Sequence, residues 1–360
     1  MKLTWKRAAL AAVALALAGA LVAASGVVSI RASGGHLRAV TWLLEFSMHR
    51  SIATHAAGND PPPLDDPALV LKGAGHYELA CRSCHGSPLA PTSRLARAML
   101  PPPPDLRFAV RGWDAAELFE IVKHGIKFTG MPAWPTQRRD DEVWAMVAFL
   151  RALPTLRAEG YRALVWGALP RGVAAEEEPE APPAPFASAR CAPCHGPAGE
   201  GRGDAFPALA GQREAYLAAS LDAYARGARH SGIMGPAAST LDAAHRRALA
   251  RHYAALSPPP PRPATDAASV ARGERVARHG VPASRVPACA PCHGPGAAPR
   301  NESYPALAGQ PAAYLALQLG LFRRGDRGGA AYASVMTRAA HGLADAEARD
   351  VARYYASLGR

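Results

Sequence analysis

The motif Cys-x-x-Cys-His occurs three times in this chain, and the three copies use all six cysteines. The copies are Cys81, Cys84 and His85, then Cys191, Cys194 and His195, then Cys289, Cys292 and His293. Because no cysteine is left over, one chemistry has to account for every thiol. Two thiols separated by two residues on a helical turn can reach the two vinyl groups of a porphyrin, and the adjacent histidine then lies over the ring face. The spacing therefore predicts three covalently bound haem c groups, with the three histidines as axial iron ligands.

Three other chemistries also use closely spaced cysteines. A thioredoxin-like redox pair occurs in a βαβ context, which none of the three flanks indicates. A zinc site needs four tetrahedral ligands, so each motif would have to borrow a fourth from elsewhere. Disulfides across two intervening residues would close very small loops and stabilise little. Haem attachment is the preferred interpretation, because chance does not place a histidine after the second cysteine in every copy.

The chain of 360 residues is long enough for two or three domains, and motifs about a hundred residues apart favour three. Proline-rich runs at 61–63, 174–185 and 257–263 punctuate it, and the second of these runs is also acidic. The predicted division is a transmembrane anchor or signal over 1–31, a juxtamembrane helix and linker over 32–63, a first domain over 64–156, a linker over 157–185 that is acidic and proline-rich at its end, a second domain over 186–258 and a third over 264–360.

The N-terminus predicts a membrane crossing. Lys2, Lys6 and Arg7 precede an uncharged run from Ala8 to Ile30, and about 20 apolar residues span a bilayer. Since covalent haem attachment takes place outside the cytoplasm, we expect an anchor in the bacterial inner membrane, a cytoplasmic N-terminus and periplasmic haem domains. A cleaved signal peptide is the alternative, although its apolar core usually covers about 7–15 residues and Ala23–Ser25 is a weak cleavage site.

The formal net charge is +12, but haem propionates and the cytoplasmic basic residues reduce the charge that a periplasmic partner meets. The remaining basic excess is compatible with an acidic protein partner or with anionic lipid headgroups. Nucleic acid is a poor fit, since the arginines are dispersed among alanines without a basic patch that contains aromatic residues. Before the first domain, Trp42 and Phe46 predict either an interfacial helix or a connector packed on that domain.

The second and third domains are an internal duplication. The segment Phe206–Gln212 recurs as Tyr304–Gln310, at the offset of 98 residues that also separates Cys191 from Cys289. The same offset relates the pairs Tyr216 and Tyr314, Gly227 and Gly325, and Arg229 and Arg327. Beyond them the offset becomes 102, which indicates a four-residue insertion in the third domain. The two units are therefore expected to share one fold.

Helical patterns are plentiful and strand signals are scarce, which predicts an all-α chain. Asp114 and Glu117 form a capping box ahead of an apolar helical face. Each domain closes with an amphipathic helix, whose apolar residues are Val143, Trp144, Val147 and Leu150 in the first, Leu249, Tyr253 and Leu256 in the second, and Val351, Tyr354, Tyr355 and Leu358 in the third. Helix packing explains these stripes, and in a haem protein the same apolar walls keep water from the iron.

Methionine thioether as a sixth iron ligand raises the reduction potential for electron transfer. The second and third domains hold one methionine each, Met234 and Met336, which lie 39 and 43 residues after their motif histidines. In the first domain Met131, in a Gly-Met-Pro-Ala stretch 46 residues after His85, is preferred over Met99 and Met146. A lone methionine is usually core packing, but one per motif at similar spacing predicts Met131, Met234 and Met336 as axial ligands.

These residues resemble the class I c-type cytochromes, small all-helical domains with histidine and methionine on one haem. The half from Phe186 to Arg360 is similar to the di-haem periplasmic cytochromes of the fourth subclass, through Cys-x-x-Cys-His-Gly, Pro-x-Leu-Ala-Gly-Gln and a single methionine per unit. The resemblance implies three consecutive class I domains after the transmembrane helix. It also implies that the carbonyls of Pro207 and Pro305, and of Pro104 in the first domain, accept the Nδ1 hydrogen of the axial histidine.

The resemblance also implies an opening helix whose glycine and aromatic residue pack on the closing helix. Gly73 to Tyr77 supplies this in the first domain, and the stretch around Gly273 in the third. In the second domain only 186–190 lies between the linker and Cys191, so we expect a truncated helix and a haem that is either more exposed or covered by a neighbouring domain.

The predicted function is electron transport, without catalytic residues, between redox partners such as a dehydrogenase, a quinol-oxidising complex or a terminal oxidase. A stable subunit of a dehydrogenase or oxidase complex is a second hypothesis, because it uses the same chemistry. A haem peroxidase or reductase is a third, and it requires an iron without methionine and a polar distal pocket. His124, His230 and His341 lie near the ligand loops, but an isolated histidine is more often a surface residue or a propionate contact.

Overall fold

A computed structural model of the chain describes residues 4–31, 33–167, 190–263, 266–295, 301–329 and 331–359. The α-helices run Trp5–Ser25, Arg38–Ala56, Pro67–His76, Arg82–His85, Arg94–Arg97, Leu106–Ala109, Ala115–His124, Asp140–Ala152, Ala158–Trp166, Ala192–His195, Glu214–Ala225, Met234–Ser239, Ala243–Ala255, Ala267–His279, Ala290–His293, Ala312–Arg324, Ala333–His341 and Asp345–Ala356. Within these ranges the β pairing is a single isolated bridge between Val281 and Val286. The predicted all-α class is therefore confirmed.

The first helix, Trp5–Ser25, is long and apolar enough to cross a bilayer, with a mean hydropathy of 2.2 over its most apolar window. None of its residues is buried against the rest of the protein. Large apolar side chains such as Leu10, Leu15 and Leu21 are therefore exposed along it. A water-soluble helix would hide such a surface, so this helix is a membrane-anchor candidate by length and composition.

The second helix, Arg38–Ala56, has two halves with different surroundings. In its C-terminal half Ile52 and Ala56 are buried, and the His49 ring stacks on Trp113 of the first domain at a centroid distance of 4.5 Å. In its N-terminal half Trp42 and Phe46 stack on each other but remain exposed. The C-terminal half is thus the packed connector that was one of the two alternatives.

The first hydrophobic cluster is built where the opening helix Pro67–His76 crosses the closing helix Asp140–Ala152. Gly73 allows the crossing, because a Cβ at that position would lie 2.6 Å from Phe149 Cβ and closer still to the Ala145 carbonyl oxygen. Tyr77 then packs on Phe149 at a ring-centroid distance of 5.0 Å. The expected contact of glycine and aromatic residue with the closing helix is present.

The capping box that the sequence predicts is also present in this domain. The Asp114 carboxylate accepts from the Glu117 backbone N–H at 2.8 Å, and the Glu117 carboxylate accepts from the Asp114 N–H at 3.0 Å. Helix Ala115–His124 therefore begins where its cap was expected.

Helix Ala158–Trp166 lies in the segment 157–185 that the sequence analysis assigned to a linker. Its Tyr161 and Val165 are fully buried in the first cluster, and the Tyr161 hydroxyl donates to the Glu78 carboxylate at 2.6 Å. The apolar residues four positions apart give this helix a face that has to be covered. We therefore extend the first domain to Trp166. The acidic stretch 174–185 and residues 186–189 lie outside the described residues.

The second and third domains have their own hydrophobic clusters around the closing helices Ala243–Ala255 and Asp345–Ala356. In the third domain the opening helix Ala267–His279 crosses the closing helix at Gly273, where a Cβ would lie 2.9 Å from Tyr354 Cβ. This crossing matches the one in the first domain. The stretch around Gly273 takes the expected place.

The duplicated segments of the second and third domains contact each other reciprocally. The Gln212 side chain donates to the Ala306 carbonyl at 2.9 Å and accepts from the Ala306 N–H at 2.8 Å. Gln310 makes the equivalent pair with Ala208, at 2.7 and 3.0 Å. Both glutamines are buried, so each satisfies a backbone unit of the other domain that would otherwise lose its hydrogen bonds.

Gly73→Ala should destabilise the first domain, because the added methyl group meets backbone atoms that cannot move aside. Overpacking of this kind costs about 1–3 kcal/mol of unfolding free energy, measurable by guanidinium denaturation. Gly112→Ala is the matched control, since a Cβ there has no heavy atom within 4 Å. Equal denaturation midpoints for the two variants would contradict the assigned crossing.

Candidate functional site

The three Cys-x-x-Cys-His motifs have the same local structure. In each, the four residues that follow the first cysteine and end at the histidine form one turn of helix: Arg82–His85, Ala192–His195 or Ala290–His293. A glycine follows every histidine with positive φ, at 71° for Gly86, 85° for Gly196 and 84° for Gly294. Residues with a side chain rarely adopt this conformation, so the glycine lets the chain turn away directly after the histidine.

Each motif histidine binds the carbonyl oxygen of the proline that the sequence analysis named. The distances from Nδ1 are 2.8 Å for His85 and Pro104, 3.0 Å for His195 and Pro207, and 3.0 Å for His293 and Pro305. Because Nδ1 is engaged as the donor, Nε2 is the ring nitrogen that remains to coordinate a metal. Burial lowers the pKa of all three imidazoles, against the opposing effect of the proline carbonyls. The neutral ring, which is the ligating form, is thereby favoured.

Cys194 is buried, and the other five cysteines are half-buried. Burial raises the pKa of Cys81 and of Cys194 to about 12, and that of Cys289 to about 11. The first cysteine of every motif packs against the hydrophobic cluster of its own domain. An apolar wall and raised thiol pKa values disfavour coordination of a bare ion, which needs thiolates, and the wall suits the face of a flat apolar ring.

Protein side chains alone do not assemble a metal site around the motifs. Over the described ranges, no three His, Cys, Asp or Glu side chains converge into a group able to hold an ion. The zinc alternative of the sequence analysis required such a group.

Tyrosine hydroxyls hold the turn after two of the motifs. Tyr77 from the opening helix donates to the Gly86 carbonyl at 2.7 Å, and Tyr355 from the closing helix donates to the Gly294 carbonyl at 2.7 Å. In the second domain Tyr253, the counterpart of Tyr355, packs on Gly199 behind Cys191. Burial raises the pKa of all three phenols well above its ordinary value, so they remain hydrogen-bond donors.

The three methionines predicted as ligands are half-buried and lie on different local structures. Met131 is in a loop, where its N–H donates to the Thr129 hydroxyl at 3.0 Å. Met234 begins the helix Met234–Ser239, and Met336 lies inside the helix Ala333–His341. Their role as axial ligands stays a prediction.

The competing residues of the sequence analysis have simpler surroundings. Met146 is 1 % exposed within the first hydrophobic cluster, which makes it core packing. Met99 lies beside the Met131 loop, with its Sδ 3.1 Å from the position of a Cβ on Gly130. His124 and His341 are exposed and His230 is half-buried.

The second motif is more deeply buried than the other two, and the first domain covers it. Cys194 is 7 % and His195 8 % exposed. Gly75 of the opening helix faces this motif, because a Cβ there would lie 2.9 Å from Cys194 Sγ and 3.3 Å from Phe206 Cζ. The covering of this site by a neighbouring domain, one of the two expected alternatives, is what the structure has.

A single arginine strengthens this cover. The Arg202 guanidinium donates to the Pro193 carbonyl inside the second motif. It also donates to the carbonyls of Leu164, at 2.9 Å, and Val165, at 2.5 Å, which end the last helix of the first domain. Arg202 therefore connects the C-terminal end of the last helix of the first domain to the second motif by hydrogen bonds.

A buried cation lies between the second and third domains. Arg229 is 7 % exposed and donates to the hydroxyls of Tyr216, Ser220 and Tyr314 and to the Gln318 amide. Among the described residues no carboxylate pairs with it. Its guanidinium also lies over the Tyr224 ring, 4.5 Å from the centroid, which stabilises the charge.

Comparisons with known proteins agree with this geometry. A profile of the family described as "Cytochrome C oxidase, cbb3-type, subunit III" matches residues 68–150, and one described as "Cytochrome c" matches residues 184–252. The chain is 41% identical to the thiosulfate dehydrogenase electron acceptor of Thiomonas intermedia (strain K12) over 176 aligned residues. This alignment covers 48% of this chain and 81% of that protein. The chain belongs to the class I c-type cytochromes. It is an electron-transfer cytochrome of a family with covalently bound haem c.

Two further relatives extend the similarity of this cytochrome. A protein of Stutzerimonas stutzeri (strain A1501), also called thiosulfate dehydrogenase electron acceptor, is 36% identical over 182 residues and covers 48% of this chain and 81% of its own length. Cytochrome c4 of Azotobacter vinelandii is 35% identical over 150 residues, or 39% of this chain and 70% of that protein.

Sequence reasoning missed the residues that join the domains of the cytochrome, which include Gly75, Arg202 and also Glu142, whose carboxylate accepts from the Gly232 N–H of the second domain at 2.6 Å. The local sequence around an arginine or a glutamate does not indicate which residue far along the chain it contacts. For the two tyrosines that bind the motif glycines, the sequence indicated a helix crossing for Tyr77 and the apolar stripe of the closing helix for Tyr355, but it did not indicate the hydrogen bonds of their hydroxyls.

Tyr355→Phe should lower the unfolding free energy by about 1–3 kcal/mol, since the Gly294 carbonyl loses its donor. Tyr332→Phe is the control, because Tyr332 is 38% exposed and its hydroxyl accepts from the exposed Asn301 amide at 2.8 Å. Denaturant titrations of both variants measure the difference. A larger loss in the control would show that Tyr355 does not hold the turn.

Proposed function

We propose that this cytochrome is a membrane-anchored, periplasmic tri-haem electron carrier between a respiratory donor and an acceptor such as a terminal oxidase. The observation that carries the proposal is the threefold repetition of one arrangement: a cysteine pair on a helical turn, and a histidine whose Nδ1 is bound to a proline carbonyl. Each copy leaves Nε2 free for iron. The domain division of the sequence analysis, with the first domain extended to Trp166, is part of this proposal.

In this proposal each of the six motif cysteines forms a thioether with haem c. The proximal ligands are His85, His195 and His293, and the distal ligands are Met131, Met234 and Met336. Haem supplies the redox-active iron. The chain orients the imidazoles through Pro104, Pro207 and Pro305, holds them neutral, and excludes water with the three hydrophobic clusters. Two protein ligands per iron leave no open coordination site for a substrate.

The helix Trp5–Ser25 supports an anchor in the inner membrane, because it is apolar and exposed along its length. Lys6 and Arg7 at its start favour a cytoplasmic N-terminus. The domains after the helix would then lie in the periplasm, where haem is attached. The exposed Trp42 and Phe46 follow the helix, at a place where aromatic side chains suit the membrane surface.

A dehydrogenase is the donor that the similarities favour. Two relatives are named electron acceptors of thiosulfate dehydrogenase, so we propose an oxidising enzyme of that kind as the electron source. The first domain matches a family named for a subunit of a terminal oxidase, which favours an oxidase as the electron sink. A stable subunit of such a complex is the second candidate function, supported by the same names.

The haem content tests the proposal directly. Denatured protein washed free of non-covalent haem should contain three haem groups per chain by the pyridine haemochrome assay, because each of the three motifs has both thiols and its histidine in place. Replacing Cys289 and Cys292 by alanine should reduce the count to two. Fewer than three in the unchanged chain would overturn the tri-haem assignment.

The methionine ligands have their own signature. In the ferric protein, Met131→His, Met234→His and Met336→His should each remove about a third of the near-infrared sulfur-to-iron charge-transfer band and leave the haem content unchanged. Met146→Leu is the control, since Met146 is buried in the first cluster. An undiminished band in any of the histidine variants would reject that methionine as a ligand.

A further inference from the structure

The loop before Met234 in the second domain is held by the first domain. The His230 carbonyl accepts from the Arg139 guanidinium at 2.9 Å, and Ile233 packs against the first hydrophobic cluster. Gly232 lies against the indole of Trp134, because a Cβ there would be 2.5 Å from Trp134 Cε2. Residues from another domain thus surround the chain segment that leads into the predicted ligand.

A single carboxylate organises this contact. Glu142 of the closing helix is 2 % exposed, and its Oε1 accepts from the Ser231 hydroxyl at 2.6 Å. Its Oε2 accepts from the Gly232 N–H at 2.6 Å and from the Trp134 indole N–H at 3.3 Å. The two oxygens of one carboxylate thus serve three donors, two from the second domain and one from the first.

The buried charge of Glu142 is compensated. Arg139 lies 3.0 Å from Glu142 Oε1 and is also paired with Asp141 at 2.7 Å. Lys72 in turn contacts Asp141 at 2.9 Å. Two cations and two carboxylates therefore form a neutral network, which offsets the desolvation cost of burying the Glu142 carboxylate at a domain interface.

The contact continues from Glu142 to Met234. The Ser231 hydroxyl that donates to Glu142 accepts from the backbone N–H groups of Ile233, at 3.2 Å, and Met234, at 2.9 Å. A hydroxyl can do both, since it has one hydrogen and two lone pairs. The start of the helix Met234–Ser239 is thereby tied to a carboxylate of the first domain.

In the third domain the two residues directly before the predicted ligand are exposed, although Gly328 and Gly329 further upstream lie against Ala228 of the second domain. Met336 is the fourth residue of the helix Ala333–His341, and Ser334 and Val335 are the exposed residues before it. Glu347 has the position of Glu142, as the third residue of the closing helix. Its carboxylate instead accepts from the backbone N–H of Ala344, the N-cap residue of the same helix, at 2.8 Å. The duplicated domain therefore provides an internal comparison for the second.

We infer that Glu142 is a positioning residue for the second haem site: through Ser231 and Gly232, the first domain sets the place of the Met234 ligand. This inference rests on the proposed function, in which Met234 ligates the iron of that site. The potential of the second haem then depends on the docking of the first domain. Electron transfer between these two sites is accordingly tuned by the contact that joins them.

Glu142→Gln tests the inference in the full-length ferric protein. The amide keeps the size of the side chain but turns one acceptor into a donor, which faces Ser231 or Gly232. We expect a loss of about a third of the sulfur-to-iron band and a decrease of one of the three midpoint potentials, because methionine ligation raises the potential. Haem content should stay at three. Glu347→Gln, at the same place in its own closing helix, should leave the band and all midpoint potentials unchanged.

Ser231→Ala removes the hydroxyl that donates to Glu142 from the second domain, and it leaves the closing helix of the first domain unchanged. It should diminish the same part of the band, whereas Ser334→Ala near Met336 should not. A full band and three unchanged potentials in both Glu142→Gln and Ser231→Ala would overturn the inference.

Combination with Met234→His identifies the site concerned. If Glu142 acts on Met234, the double variant Glu142→Gln, Met234→His should lose no more of the band than Met234→His alone. A further loss would place the effect at another haem and overturn the inference. If Met234→His by itself leaves the band intact, the ligand assignment of the proposed function fails. That result is distinguishable from a failure of Glu142 alone.

Discussion

The hydrogen bond from a motif histidine to a proline carbonyl is the contact on which each site depends. It joins the one-turn helix of the motif to a loop that lies 12 residues further along the chain in the second and third domains, and 19 in the first. The bond takes up Nδ1, orients the ring and leaves Nε2 as the nitrogen available to a metal. The glycine turn after the histidine and the hydrophobic cluster behind the first cysteine have a function only if the imidazole keeps this orientation.

The three domains are alike in their sites but not in their surroundings. The first domain covers the second motif with Gly75 and holds it through Arg202. The second and third domains exchange glutamine side chains across their contact, so that Gln212 and Gln310 each satisfy a backbone unit of the other. Joined domains suit a relay, because electron transfer requires redox centres that stay close and whose surroundings change little with oxidation state.

Much of the fold could be predicted because its signals are local. The capping box at Asp114 and the stripes of the closing helices depend on spacings of three and four residues, which a helix converts into one face. Gly73 and Gly273 could be placed at helix crossings through the family resemblance. The helix Ala158–Trp166 was assigned to a linker, because Tyr161 and Val165 form a short stripe whose burial depends on a cluster built from other helices.

The sequence by itself determined the chemistry of the cytochrome: the paired cysteines, the adjacent histidines and the all-helical class follow from the identity and spacing of residues close together in the chain, and the family resemblance added the prolines behind the histidines. Only the tertiary structure decided which site is covered, which turns are held by a tyrosine, and that Glu142 contacts the loop before Met234. Most of these contacts join residues far apart in the chain, and Glu142 and Gly232 are 90 positions apart. A carboxylate or a glycine has the same local preferences whether or not such a partner exists, so the partner becomes visible only when the domains are packed together.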